Sequence, residues 1–243
     1  MISVIVNGAK GKMGSEAVQA IQSDASLSLL AGLDVQDNLA TAIANLKPNV
    51  VVDLTHPDAV KKNVDIILSS GTYAVVGTTG LNDQDLSSFN ELAIQKKVAA
   101  AVCPNFAIGA VLMMQLSKQA AKFFQRVEIL EFHHDQKADA PSGTALKTAD
   151  LIHEGNPAIN QVPLQEKELI SGARGGKKHG IPIHSVRLPG VVANQEVIFG
   201  GLGQTLSLRH DTHHRSCFMP GILLCIKHIQ SHQGLVYGLE HFL

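Results

Sequence analysis

Tryptophan is absent, and aromatic residues amount to 4% of the 243-residue chain, so the core must be built from aliphatic side chains. Charged residues are scarce as well, at 17%, and nearly balanced. The formal net charge of −1 excludes a global attraction to nucleic acid or to an anionic membrane, so any anion recognition must be local. No apolar run reaches the ~18 residues of a membrane span, and residues 1–6 enter a strand-like run with no basic leader. Cysteine is limited to Cys103, Cys217 and Cys225, an odd number set far apart in apolar runs. Such spacing reads as buried reduced thiols in a soluble cytoplasmic protein. Internal repeats, low-complexity segments and Pro-rich linkers are missing too. What is plentiful is aliphatic: hydrophobic residues are 45%, and 21 glycines promise many tight turns. That is enough for a substantial core in one large domain or two small ones.

Residues 2–6 form an apolar run ending in Asn7-Gly8-Ala9-Lys10-Gly11-Lys12-Met13-Gly14, after which Ala17, Val18 and Ile21 recur at helical spacing. The next apolar run, 27–33, stops at Asp34, about 20 residues beyond Gly14. Strand, glycine turn, helix, strand and acid in that spacing match a dinucleotide-binding βαβ unit. Its glycines let the backbone approach a pyrophosphate, the helix start supplies partial positive charge, and the acid binds ribose hydroxyls. The pattern is GxxGxxG, with Lys10 where the commonest fingerprint has its second glycine. Strands over 50–54, 73–76 and 98–102 then alternate with helices over 58–68 and 83–93. Near-continuous Val/Ala/Ile strands of this kind predict an α/β fold, a Rossmann-type doubly wound parallel sheet covered on both faces. The loops Thr55-His56-Pro57, Gly77-Thr78-Thr79-Gly80 and Cys103-Pro104-Asn105-Phe106 follow the strand ends, where open sheets bind ligands. Gly77, Thr78 and Thr79 offer hydroxyls and amides beside a ribose or nicotinamide; a plain small-residue turn is the alternative.

The style changes after residue 105. One long helix is expected over 107–124, with Leu112, Leu116, Ala120 and Phe124 four apart and the Met113–Met114 pair filling core. A strand follows over 127–132, a helix over 145–152, and a helix-free stretch over 156–180. That stretch contains Arg174, Lys177, Lys178 and His179 among glycines, a set that closes over an anion or stays solvated. Strands over 181–188, 195–199 and 205–209 have no intervening helices, which predicts a second, α+β domain with a mixed, largely antiparallel sheet. A last helix, 217–229, presents Met219, Leu223, Ile226 and Ile229 and can return to cover the first sheet. The domains are therefore expected over 1–104 plus 217–243 and over 105–216.

Between strand 127–132 and helix 145–152 lies the densest chemistry of the chain. Residues 131–144 read Glu-Phe-His-His-Asp-Gln-Lys-Ala-Asp-Ala-Pro-Ser-Gly-Thr, on the kind of strand-to-helix loop where α/β enzymes carry function. Ser142 caps the helix, and the amides of Gly143 and Thr144 at its start suit a carboxylate. On residue type alone, one imidazole of His133-His134 can cap the strand while the other packs internally. A metal site is a second alternative, drawing on His133, His134, Asp135 and Asp139, with His210, His213 and His214 further on. No known zinc spacing is repeated and Lys137 would repel a cation, so no metal is expected.

The string Glu-Phe-His-His-x-x-Lys-x-Asp-Ala-Pro-Ser-Gly-Thr-Ala resembles the signature of the 4-hydroxy-tetrahydrodipicolinate reductase family. The likeness extends through the glycine turn, residues 77–80, Pro104-Asn105-Phe106, residues 180–187 and Phe218-Met219-Pro220-Gly221. The resemblance implies a discontinuous Rossmann domain, a substrate and tetramer domain, and hydride transfer from NADH or NADPH to a cyclic unsaturated dicarboxylate with loss of water in lysine biosynthesis. It assigns proton chemistry to His133 and Lys137, and substrate binding to His134, Gly143 and Thr144. The cofactor positions are Gly8, Ala9, Lys10, Gly11, Lys12, Met13, Asp34, Gly77, Thr78, Thr79, Cys103, Pro104, Asn105 and Phe106.

The chemistry agrees, because reduction of a conjugated imine leaves an enamine or carbanion-like carbon that needs a nearby proton donor. Asp139 is expected to orient or neutralise Lys137, or to serve only the turn. Asp34 should repel a 2′-phosphate and Val35 supplies no guanidinium, so NADH is expected to be preferred over NADPH, with Lys10 or Lys12 leaving dual use open. Where some relatives have Arg before the proline this chain has His56, which makes any cofactor contact there weaker and pH-sensitive. A dinucleotide-binding protein without catalysis and a related two-domain dehydrogenase are the rival functions; the presence of both His133 and Lys137 favours the enzyme.

Overall fold

The computed structural model describes residues 1–161 and 165–243; residues 162–164 of the helix-free stretch lie outside the described part. The first half alternates strand and helix: β1 (Ile2–Asn7), α1 (Lys12–Ser23), β2 (Leu27–Leu33), α2 (Leu39–Leu46), β3 (Val50–Asp53), α3 (Pro57–Ser69), β4 (Tyr73–Val76), α4 (Asp83–Lys96) and β5 (Ala99–Val102). Then come α5 (Ile108–Ala120), β6 (Arg126–His133), α6 (Gly143–Gly155), β7 (Gly176–Lys178), β8 (Ile181–Arg187), β9 (Ala193–Gly201) and β10 (Gln204–Thr212). The chain closes with α7 (Met219–His228) and β11 (Gly234–Tyr237). Two units result, Met1–Ile108 with Arg215–Leu243, and Gly109–His214.

The first unit is a six-stranded sheet of order β11-β5-β4-β3-β1-β2, parallel throughout. Its central strands are buried on both faces, as their unbroken Val and Ala runs require. Ile5, Val51, Ala74, Val76, Ala100 and Val102 join Ile43, Val64, Ile67 and Phe89 of the helices in one apolar cluster. Local chemistry sets the helix starts. Asn38 caps α2, Asn82 and Asp85 form a capping box on α4, and His56 caps α3 ahead of Pro57 by accepting from the Asp58 amide. Because β1 leads outward to β2 while β3 returns on its other side, the strand order reverses between Asn7 and Asp53. Open α/β sheets bind ligands at that point.

Two glycines make the approach of α1 to this point possible. Gly8 holds φ of +85° with Leu54 O 2.5 Å from where a Cβ would stand, and a Cβ on Gly14 would meet Gly8 O at 2.0 Å.

The second unit is a five-stranded mixed sheet of order β10-β9-β6-β8-β7, in which only β6 and β8 run parallel. Val127, Ile129 and Glu131 of β6 point to its buried face. The expected 107–124 helix is shorter and turned. It ends at Ala120 and finishes as a 3₁₀ turn over Ala121–Phe123, and its buried residues are Ala110, Val111, Met113, Met114 and Ser117. Leu112 and Leu116 are exposed, so the inward stripe lies one position away from the Leu ladder, while the Met pair does fill core. The helix expected over 217–229 is divided likewise, with 3₁₀ turns at Arg215–Phe218 and Ile229–Ser231 flanking α7. Helices α1 and α7 pack together in the first unit. Cys103 and Cys225 are buried, Cys217 is half-buried, and all three are free thiols.

Gly14→Ala should lower the melting temperature by at least about 4 °C, the shift that roughly 2 kcal/mol produces in a chain of this size. Gly176→Ala, where a Cβ meets open space, should melt within about 1 °C of wild type. Equal melting of the two variants in scanning calorimetry would remove the assigned role of Gly14.

Candidate active site

A cleft of about 700 Å³ opens at the reversal point of the first unit, lined among others by Asn7, Gly8, Gly11, Asp34, Val35, Thr55, His56, Lys62 and Asn63. Gly8 and Ala9 anchor the turn by donating to Leu33 O, both at 2.9 Å. Asp34 is held from two sides: the Lys10 amide donates to Oδ2 at 3.0 Å and the Val35 amide to Oδ1 at 2.8 Å. The Val35 and Lys10 amides draw the Asp34 carboxyl below its ordinary range, so it is ionised at neutral pH. Lys10 and Lys12 are exposed at the turn. The open backbone of Gly8 and Gly11, with an ionised acid at the far wall, fits a dinucleotide with its pyrophosphate at the turn and its ribose diol at Asp34.

Of the other expected cofactor positions, Thr78 is buried and Thr79 exposed. Cys103 and Phe106 are buried, and the Phe106 ring lies against Gly77, where a Cβ would meet it at 2.8 Å. Pro104 is exposed and Asn105 half-buried, its side chain accepting from the Ala107 amide at 2.9 Å. Met13 is half-buried in the first turn of α1.

In the second unit the chemistry converges on a residue that carried no expected role. Glu131 follows Val127 and Ile129 on the buried face of β6 and is wholly inaccessible. Parallel pairing sets Glu131 opposite Ser185 and His133 opposite Arg187, so two positions on each strand share one face. Arg187 grips Glu131 with both terminal nitrogens at 2.9 Å and spends its remaining donors on three carbonyls. Those are Val186 O at 2.8 Å, Asp139 O at 2.7 Å and Lys137 O at 3.3 Å. Glu131 also accepts from His133 Nδ1 at 2.5 Å and from the Ser142 amide at 3.3 Å. One ion pair therefore ties together both strands, the loop and the start of α6.

Burial pushes the Glu131 carboxyl up, but hydrogen bonds from His133, Arg187 and Ser185 outweigh it and hold it down at about 2. An ionised Glu131 can only accept, so Nδ1 of His133 carries a proton and Nε2 is the nitrogen left for chemistry. Lys137 Nζ donates to both oxygens of Asp139 at 2.6 and 2.7 Å; Lys137 is one-fifth exposed and Asp139 mostly exposed. The Lys137 hydrogen bonds draw the Asp139 carboxyl below its ordinary range. His134 and Gly143 are exposed, Thr144 is half-buried, and Ser142 Oγ caps α6 by accepting from the Ala145 amide at 3.2 Å. Thus His133, Lys137, His134, Gly143 and Thr144 all lie on β6, its loop and the first turn of α6.

Family models described as dihydrodipicolinate reductase, N-terminus and C-terminus, match residues 2–106 and 109–243. The chain belongs to the dihydrodipicolinate reductase family. It is 47% identical to a 4-hydroxy-tetrahydrodipicolinate reductase of Geobacillus kaustophilus over 100% of this chain and 99% of that one. A protein of the same description from Legionella pneumophila is also 47% identical, over 99% and 98%. Among solved structures, a dipicolinate-bound dihydrodipicolinate reductase from Paenisporosarcina sp. TG-14 superposes with a TM-score of 0.92 at 42% identity, covering both chains completely. The membership expected from residues 131–144 is therefore shown for the whole chain, together with its two-part α/β architecture.

The basic loop is committed differently from an open anion clamp. Arg174 pairs with Glu128 and Glu166, Lys177 with Glu166, and Lys178 and His179 with Asp150, while the His179 ring stacks on His153 at 4.4 Å. His56 is spent as a helix cap beside Asp58. Among the described residues no group of three or more His, Cys, Asp or Glu side chains is arranged to hold a metal. Period-two reading was the signal available for Glu131, which stands two before His133 on an apolar strand face. Arg187 had no local signal, since its partner is set by the β6–β8 register.

Glu131 yields a pH test. Its carboxyl takes up a proton near its ordinary value of 4.5 when unfolded and only near 2 when folded. The stabilisation, roughly 3 kcal/mol, is thus present above pH 4.5 and lost as pH falls toward 2. Thermal melts from pH 7 to pH 3 should show Glu131→Gln well below wild type at neutral pH and the gap closing in acid; a constant gap would contradict the assignment.

Proposed function

We infer that this chain reduces 4-hydroxy-tetrahydrodipicolinate to tetrahydrodipicolinate with loss of water, on the diaminopimelate route to lysine, and that residues 131–144 are its proton-transfer and carboxylate-binding centre. The observation that carries the assignment of roles is the buried Glu131–Arg187 pair, which fixes His133 and the backbone of Lys137 on one short segment. The first unit is the dinucleotide-binding part and the second the substrate part. NADH or NADPH bound at the glycine turn and Asp34 supplies the hydride.

The protein's own part is protonic and electrostatic. His133, whose Nδ1–H is donated to an ionised Glu131, keeps Nε2 as the nitrogen that gives or takes the proton, with the ring held by that hydrogen bond. Lys137 is a second donor. As an ammonium in a partly screened loop, it also stabilises negative charge developing on the ring being reduced. Asp139 holds Lys137 until an anionic group replaces it. One carboxylate of the substrate is taken by the Gly143 and Thr144 amides at the start of α6, the other by His134 and Lys137. The dipicolinate held by the Paenisporosarcina relative, a flat pyridine dicarboxylate, supports this substrate class.

NADH is the preferred cofactor. The ionised Asp34 disfavours a 2′-phosphate, and Val35, almost fully exposed beside it, offers no cation. Lys62 lines the same cleft and keeps NADPH usable at lower efficiency. A homotetramer is supported by apolar side chains left on the surface of the second unit, Leu112, Leu116, Leu202 and Leu206. A cytoplasmic location fits the three free thiols.

Two assays test the reading. With freshly prepared substrate, His133→Gln and Lys137→Ala should each lose kcat by ~10²-fold or more while still melting as folded proteins; near-normal turnover in both removes their roles. Separately, kcat/KM measured with each cofactor should be higher for NADH, and a clear NADPH preference would overturn the claim about Asp34.

A further inference from the structure

The first unit contains a second buried carboxylate, at the point where the strand order reverses. Asp53 ends β3, whose other residues Val50, Val51 and Val52 are all apolar, and it is completely inaccessible. Among the described residues no cation pairs with it; neutral donors surround it instead. Oδ2 accepts from Asn7 Nδ2 at 3.0 Å and from Asn63 Nδ2 at 2.9 Å. Oδ1 accepts from Thr55 Oγ1 at 2.7 Å, from Thr78 Oγ1 at 2.9 Å and from the Thr55 amide at 3.3 Å. Asn63 Nδ2 also reaches Thr55 Oγ1 at 3.1 Å, and the Gly77 amide donates to Asp53 O at 3.0 Å.

Burying an unpaired carboxylate costs several kcal/mol unless its lone pairs are fully used, and a valine would extend the pattern of β3 without that cost. The location of the donors explains the choice. Asn7 immediately precedes Gly8, Thr55 follows β3, Asn63 is on α3, and Thr78 follows β4. Asn7, Thr55 and Asn63 line the cleft, whereas Asp53 stands behind them. One carboxylate therefore fixes the rotamers of side chains from the ends of three neighbouring strands and the helix beside them.

We propose that Asp53 is a positioning residue for the dinucleotide, acting through Asn7, Thr55, Asn63 and Thr78 rather than by contact. It presets the wall and the 77–79 loop so that cofactor binding does not have to order them. The proposal rests on the dinucleotide reading of the first unit. It explains why a polar knot occupies the centre of an otherwise aliphatic sheet.

The test measures cofactor affinity directly. NADH and NADPH are titrated by fluorescence into the full chain, as wild type, Asp53→Asn, Thr55→Val and Thr55→Ser. Melting temperature and kcat at saturating cofactor are followed in parallel. Asp53→Asn keeps the shape but turns two donors toward the donors of Asn7 and Asn63, or loses its acceptor toward the threonines. The expected result is a Kd for NADH about tenfold or more above wild type, with kcat at saturating cofactor within about twofold. Thr55→Val should lose affinity by about threefold or more, and Thr55→Ser, which keeps the hydroxyl, should restore it. A folded Asp53→Asn with unchanged Kd overturns the proposal, and so does loss of kcat without loss of affinity. Should Asp53→Asn not fold, the Thr55 pair decides: equal affinity in Val and Ser overturns it. Wild type that binds neither dinucleotide overturns the cofactor reading along with it.

Discussion

The bidentate pair between Glu131 and Arg187 is the constraint on which the second unit depends. Taking a carboxylate and a guanidinium out of water is expensive, and the expense is recovered only when every donor and acceptor is used. Here that condition is met by parts of the molecule that need holding: two strands in fixed register, two loop carbonyls, a helix amide and an imidazole. An apolar replacement of the pair could fill the same volume. It would leave residues 134–142 without the anchors that give His133 its tautomer and Lys137 its place. The interaction is better understood as specifying a geometry than as supplying net stability.

The same device recurs in the first unit with neutral donors around the carboxylate. Glu131 and Asp53 both sit near the carboxyl end of a strand whose preceding inward residues are valine or isoleucine, and both collect donors from several loops. A sheet has rigid strands and variable loops, so an acceptor placed at the last buried position of a strand is where loop positions can be tied to the scaffold. The difference between the two knots follows from their surroundings. Where a single cation can reach from a neighbouring strand, the knot is an ion pair; where the sheet is aliphatic on both faces, amides and hydroxyls replace it.

Much of this was legible in the order of residues. Periodicity located the parallel strands, because Val/Ala runs buried on both faces leave an unambiguous trace, and the spacing from Gly14 to Asp34 marked the cofactor half. Residues 131–144 declared the chemistry through their composition. The inward stripe of α5 is not legible, because Leu112 and Leu116 at spacing four compete with Met113 and Met114 beside them, and only packing decides which side turns inward. α2 is one short helix with two buried residues, and β11 is four residues with no amphipathic signal, so neither stood out. The paired state of the 174–179 loop depends on Glu128 of β6, Asp150 of α6 and the nearby Glu166, and the first two are brought to it by the fold rather than by proximity in sequence.

The position of β11 at the edge of the six-stranded sheet bears on how the chain is made. β5, a run of three alanines and a valine, pairs on one side with β4 and on the other, among the described residues, only with Gly234–Tyr237, more than 130 residues further on. The first 102 residues supply five of the six strands, yet the apolar border of β5 stays open until the chain has passed through the second unit, Gly109–His214, and reached Gly234–Tyr237. Gly234–Tyr237 therefore acts as the seal of that border, and the six-stranded sheet is complete only once β11 has paired with β5.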